Sequence, residues 1–228
     1  MSSLLTFQDV SFSYHHSKEV LKNISFSMRE GEKVALLGLN GSGKSTLMLH
    51  TNGLLTPTSG EVAVKGISTK SKSLKEIRRT VGIVFQNPDD QLFMPTVWDD
   101  IAFGPENMNL TKEEIDQRVY DALNSTNTLE LKDLSPFQLS GGQKKNVAIA
   151  TVLSMMPELL VMDEPTSGLD YMATTNILQI LKKIPQAILI STHDIEFAMN
   201  LCNRAILLVN GELKYDGDIS NITYPPSY

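Results

Sequence analysis

Four runs of consecutive apolar residues punctuate the chain: KVALLG (33–38), VGIVF (81–85), ELLVM (158–162) and AILIS (187–191). None alternates with polar positions, so each predicts a strand covered on both faces, as in a parallel sheet between helices. Each run ends on something polar. The first enters a glycine-rich loop, the second reaches Gln86, the third Asp163 and Glu164, and the fourth Thr192 and His193. Ligands of open α/β sheets sit beyond the carboxyl ends of the strands, so these groups are expected to converge on one site. Four other stretches, LLTFQDVSFSY, VLKNISFSM, GEVAVKG and AILLVNGELKYDGD, alternate more and contain Asn and Gly turns; they predict an antiparallel sheet packed on the core. Residues 87–155 contain no convincing strand pattern. Within them, TKEEIDQRVYDAL (111–123) sets Thr111 as N-cap with Glu114 three residues on and Ile115, Val119 and Leu123 at helical spacing, predicting an inserted helical subdomain.

Composition adds bounds to this picture. A chain of 228 residues with 41% hydrophobic content supports one domain, 1–228, with a subdivision. Lys and Arg number 20 against 26 Asp and Glu, a net charge of −6 with no basic block, so nucleic acid is not expected as a partner. Cys202 is the only cysteine, which excludes an intramolecular disulfide and a cysteine zinc site, and it reads as a buried small apolar residue. No leader pattern is present, and no apolar run approaches the roughly 18 residues of a membrane span, so a soluble chain is expected whose membrane role comes through partners. The adjacent His15 and His16 read as a solvated loop, and Lys144 and Lys145 as a solvated helix face.

The loop after the first run is Gly38, Leu39, Asn40, Gly41, Ser42, Gly43, Lys44, Ser45 and Thr46. A G-x-x-x-x-G-K-S pattern between a strand and a helix predicts a P-loop, whose backbone N–H groups and helix N-terminus hold phosphates. Lys44 would bridge the β- and γ-phosphates and the Ser45 hydroxyl would bind Mg²⁺. The expected fold is therefore α/β, a P-loop NTPase core with a parallel sheet, an antiparallel β subdomain and an α-helical subdomain. Asp163, at the tip of an apolar strand, suits a second Mg²⁺ contact, and Glu164 suits the polarising of an attacking water.

A second glycine-rich helix start follows much later, LSGGQ (139–143), with Ser140 as N-cap and the apolar VAIATVL behind it. P-loop, LSGGQ and then Asp163-Glu164 is the order found in ATP-binding cassette (ABC) ATPases, and the chain resembles that family over essentially its whole length. The resemblance implies ATP as ligand, and that Ser140, Gly141, Gly142 and Gln143 cap the ATP held by a second ABC subunit, identical or paralogous. It also implies that Tyr14 stacks on adenine and that Gln86 reaches Mg²⁺ and the attacking water. Asp170, in SGLD (167–170), would face the partner subunit, and His193, in STHD, would contact the γ-phosphate. Asn146 departs from the pattern, standing where many relatives carry Arg.

The stretch NPDDQLF after Gln86 and the later DIAFGPEN are similar to ATPases of energy-coupling factor importers for cobalt, nickel or vitamins. That likeness implies a transmembrane coupling subunit, a membrane substrate-binding subunit, and peripheral placement on the cytoplasmic face of the cell membrane. Phe93, Met94, Val97 and Trp98 are expected to form the apolar docking surface, with Asp89 and Asp90 meeting basic residues on the partner. The alternative is a soluble ABC ATPase in repair, translation or cofactor assembly, although a coiled-coil insertion, tandem cassettes and basic surfaces are all absent. A nucleotide kinase shares the P-loop but would not explain LSGGQ, Asp170 and His193 together.

Overall fold

The computed structural model describes residues 3–14 and 18–222, so His15 and His16 lie outside the described residues. In chain order, β1 (Leu5–Phe12), β2 (Leu21–Met28), β3 (Lys33–Leu37), α1 (Lys44–His50), β4 (Ser59–Val64) and β5 (Ile67–Ser68) come first. They are followed by α2 (Leu74–Thr80), β6 (Val81–Val84), α3 (Val97–Glu106), α4 (Lys112–Ser125) and α5 (Gly141–Leu153). The last elements are β7 (Leu159–Asp163), α6 (Tyr171–Lys183), β8 (Ala187–Ser191), α7 (Ile195–Leu201), β9 (Arg204–Val209) and β10 (Glu212–Asp218). One sheet has the order β2-β1-β4-β5 and is antiparallel; the other has the order β10-β9-β3-β8-β7-β6 and is parallel except for β10.

Successive side chains of a strand point to opposite faces, and here both faces are covered. Val34 and Leu36 of β3 join a cluster with Leu47, Val161 and Leu189 that is closed by Phe7, Ile24 and Val62 of the smaller sheet. Ala35 and Leu37 point the other way, into a cluster with Met162, Ile190, Ile149, Ile177 and Phe197 beneath the helices. Each such buried Leu, Ile or Val is worth about 1.5–3 kcal/mol, which is why the interiors of the central runs are apolar and polar residues stand only at their ends.

The sequence pattern places AILLVNGELKYDGD in the outer antiparallel sheet, and the structure corrects this. Its first half, β9, lies in the central sheet parallel to β3, with Ala205 opposite Ala35 and Leu207 opposite Leu37. Four of its six residues are buried in a row, the profile of an inner strand rather than of an alternating outer one. The hairpin itself is present: Asn210 and Gly211 both take positive φ, 50° and 81°, and β10 returns antiparallel on β9. This turn touches the glycine-rich loop, because the Gly211 N–H donates to the Ser42 carbonyl (3.1 Å) while the Lys22 N–H donates to the Gly211 carbonyl (2.8 Å).

No strand occurs between β6 and β7. The expected capping box opens α4, with the Thr111 N–H donating to Glu114 Oε2 at 2.8 Å, and Val119 and Leu123 pack with Ile101 of α3 and Ile149 of α5. Cys202 is buried as expected, and burial pushes its thiol up to about 12.

His50, at the end of α1, is fully buried. Its Nδ1 lies 2.7 Å from the Thr46 carbonyl, its ring stands edge-on to Phe12, and its Nε2 is buried without a hydrogen-bond partner. Burial holds it below the ordinary 6.5, so the folded chain keeps it neutral while the unfolded chain takes up a proton as pH falls through 6.5. Stability is therefore expected to decline on that side, and His50→Phe should flatten the decline. Urea midpoints for both chains at about pH 7.5 and about pH 5.5 check this; parallel losses would refute it.

Candidate nucleotide site

The turn after β3 needs glycine for a steric reason. Gly38 has φ 154°, and a β-carbon there would stand 2.3 Å from the Leu208 carbonyl oxygen and 2.6 Å from Ser42 Oγ. Gly43, with φ 106°, starts α1 and turns the first N–H groups of that helix toward the cleft. Lys44 is almost buried, and its ammonium donates to the loop's own carbonyls, Gly38 at 2.8 Å and Leu39 at 3.2 Å. The cleft, of about 340 Å³, is lined by Asn40, Gly41, Gly43, Lys44, Ser45 and Thr46 on this side. Gln86, Asp163, Glu164, Ser167 and His193 line the other. The convergence expected from the strand ends is thus present, because β3, β8, β7 and β6 are consecutive neighbours in the sheet.

The two carboxylates are fixed by a residue that the sequence reading missed. Asp163 and Ser191 face each other across β7 and β8; the Ser191 hydroxyl donates to Asp163 Oδ1 and accepts from the Glu164 N–H at 3.2 Å. The available signal was a hydroxyl closing an otherwise apolar strand, Ala187 to Ile190. Glu164 takes φ 45°, a left-handed conformation costing about 1–3 kcal/mol in a non-glycine residue. Its N–H is also held by the Ser191 carbonyl at 3.1 Å. Glu164 Oε2 lies 2.8 Å from His193 Nδ1, with Glu164 buried and His193 exposed at the rim.

Other expected site residues lie outside this cleft. Ser140 and Gln143 close a capping box on α5, the Ser140 N–H donating to Gln143 Oε1 at 2.9 Å. Gly141 borders a separate hollow that it shares with Gln86, Asp89, Lys145 and Gly168. Asp170 is exposed and caps α6, accepting from the Ala173 N–H at 2.8 Å. Tyr14 is exposed beside α1, its hydroxyl 3.2 Å from Thr46 Oγ1 and its ring edge-on to Phe12.

Lys144 and Lys145 are not a solvated face, which corrects the sequence reading. Lys144 pairs with Asp89 at 2.6 Å, while Lys145 is 4% exposed and donates to the Gln86 carbonyl at 2.5 Å and the Glu164 carbonyl at 3.4 Å. Burial lowers the Lys145 pKa, and the charges of Asp163 and Glu164 oppose that shift. The sequence does hold a signal, since Lys145, Ile149 and Val152 fall on one helical stripe with the buried apolar residues. Asn146 is also buried, with its Oδ1 lacking a hydrogen-bond partner.

A glycine loop, a buried lysine and two strand-end carboxylates in one cleft define a P-loop nucleotide hydrolase. Residues 21–167 match the family model described as ABC transporter, and the chain belongs to that family; it is an ABC ATPase. It is 48% identical over 215 residues to the energy-coupling factor transporter ATP-binding protein EcfA of Methanocaldococcus jannaschii, covering 92% of this chain and 77% of that protein. Among solved structures it is similar to cbiO1 of Clostridium perfringens, described as part of the ABC transporter complex cbiONQ. That match has a TM-score of 0.88 and 38% identity, over 96% of this chain and 90% of the other. It is also similar to the dimeric ATP-binding cassette MJ0796 bound to ADP and Pi, with a TM-score of 0.84 and 30% identity, over 96% and 100% of the two chains. Among the described residues no helix is long and apolar enough to cross a membrane, and no cluster of three or more His, Cys, Asp or Glu could hold a metal ion.

Proposed function

We propose that this chain and a second copy or paralogue close on two ATP molecules and drive a membrane importer of the energy-coupling factor type from the cytoplasmic face. The observation that carries this reading is the placement of Ser140 to Gln143. A second glycine-rich helix start stands ready for an anion, yet it lies outside the cleft of its own chain. Large apolar side chains near it, Phe137, Tyr171 and Met172, are strongly exposed and would be covered by a second subunit. Asp170, at the start of the same helix as Tyr171, would face that subunit.

Ser45, Gln86 and Asp163 offer hydroxyl, amide and carboxylate oxygens to one cleft, a hard donor set that fits Mg²⁺ completed by phosphate and water oxygens. Bound Mg²⁺ would neutralise charge on the phosphates. In this reading Lys44 and the N–H groups of the P-loop hold the phosphates, and Tyr14 supports adenine. Glu164 accepts the proton of the attacking water, Gln86 orients that water, and His193 contacts the γ-phosphate while holding Glu164.

The docking surface for the membrane subunit needs revision. Val97 is fully buried, and Trp98 packs on Tyr120 and Lys132, so neither offers a free apolar face. Asp89 is already engaged by Lys144. A groove beside them, floored by Phe93, Phe103, Met155 and Ile83, suits an apolar helix of the coupling subunit. It also contains Asp100, whose Oδ1 accepts from the Phe93 and Met94 N–H groups and whose buried Oδ2 has no partner. A donor on the incoming helix would satisfy it. The cargo, cobalt, nickel or a vitamin, would be chosen by the membrane subunits.

Capture of the tagged chain from detergent-solubilised source membranes with ATP and Mg²⁺, followed by mass spectrometry, tests the reading. Recovery of integral membrane subunits supports it, and recovery of soluble partners alone favours the non-transport ABC ATPase. In that assay Phe93→Ala is expected to weaken capture of the membrane subunits about tenfold or more while ATP binding stays unchanged. Equal capture would remove the groove from the interface.

A further inference from the structure

The segment that carries Gln86 is fastened to the helix that begins with LSGGQ at three points. Lys144 pairs with Asp89, Gln91 Nε2 donates to the Ala148 carbonyl and to Thr151 Oγ1, both at 2.7 Å, and Lys145 donates to the Gln86 carbonyl. Only the Lys145 contact also reaches Glu164, the residue that follows β7. The peptide groups on either side of the Glu164 side chain are then both held, the N–H by Ser191 and the carbonyl by Lys145. An ammonium this deeply buried needs partners to offset its lost hydration, and the two carbonyls, with Asp163 and Glu164 nearby, supply them.

We propose that Lys145 is a positioning residue for hydrolysis, setting the main chains of Gln86 and Glu164 relative to each other and linking both to the helix whose N-terminus serves the partner's ATP. Lys145 does not line the nucleotide cleft; it acts through two residues that do, Gln86 and Glu164. The inference rests on the reading that Gln86 and Glu164 act on the attacking water. It explains why a lysine occupies a buried position that an apolar residue would fill at lower desolvation cost. It also gives events at one ATP a material route to the other, since Gly141 to Gln143 and Lys145 lie on one helix, which Ser140 caps.

The test compares the intact chain with Lys145→Met, similar in length but without charge or donors, in steady-state phosphate release and equilibrium ATP binding. The expected result is a fall in kcat of at least about tenfold, with KM and ATP affinity within about twofold, as for a displaced catalytic group. Glu164→Gln and the double variant complete a cycle: the double variant is expected to be no slower than Glu164→Gln alone, because both act through one group. A wild-type kcat, a loss confined to KM, or additive losses in the double variant would overturn the proposal. If Lys145→Met does not fold, Lys145→Gln, whose shorter amide cannot span both carbonyls, is read by the same criteria. Normal turnover by Glu164→Gln would instead defeat the underlying assignment of Glu164, so the two failures are separable.

Discussion

Replacing Glu164 by Gln is expected to lower ATP turnover by about 10²–10⁴-fold while leaving ATP binding intact, the loss typical of removing a positioned general base. The substitution keeps the shape of the side chain, and an amide can still meet His193 Nδ1, 2.8 Å from Glu164 Oε2 in the parent chain. The left-handed backbone at position 164 remains braced by Ser191. What disappears is the proton acceptor and one negative charge beside the phosphates. Release of that repulsion should also make the ATP-bound dimer longer-lived. Phosphate release, nucleotide binding and light scattering on one preparation measure all three consequences. Turnover at the parental rate would take Glu164 out of the reaction.

Lys44→Ala should act one step earlier. Among the described residues it is the one lysine or arginine lining the cleft, which Asp163 and Glu164 also line. Without it, a triphosphate would meet two carboxylates with only backbone N–H groups and hydroxyls to hold it. Two charge-assisted hydrogen bonds at about 1.5–3 kcal/mol each place the loss of ATP affinity at a hundredfold or more. Equilibrium titration with a fluorescent ATP analogue measures the loss. Thermal unfolding of the same samples controls for the loop, because Lys44 also ties together the carbonyls of Gly38 and Leu39. Binding within a few-fold of the parent chain would mean that the phosphates lie elsewhere.

Sequence alone revealed the features whose causes are local. The central strands are legible because burial on two faces forbids polar residues, the box at Thr111 because its partner stands three positions on, and the helix start at Ser140 because a cap needs a short side-chain acceptor. The P-loop is legible because Gly38 and Gly43 occupy conformations and spaces closed to other residues. Features set by remote pairing were not. The hairpin of β9 and β10 is written in its Asn-Gly turn, but its sheet is decided by β3, far away in the chain. The two lysines after Gln143 look solvated because their partners, Asp89 for Lys144 and the carbonyls of Gln86 and Glu164 for Lys145, reach them only through the fold. Val97 looks like surface for the opposite reason: α3, which it opens, turns it into the core.

The brace behind the glycine-rich loop has a consequence for how the chain matures. The ribosome makes residues 38–46 early, but the Leu208 carbonyl that crowds Gly38 and the Gly211 N–H that holds Ser42 belong to the last hairpin of the described chain. Until that hairpin emerges, the loop has its sequence without its support. Contacts so distant along the chain form late in folding. Competence to hold nucleotide should therefore arrive only after β9 and β10 have been made, when the helical segment and the other central strands already exist. A nascent chain released too soon would carry every residue of the phosphate cradle and still lack the cradle.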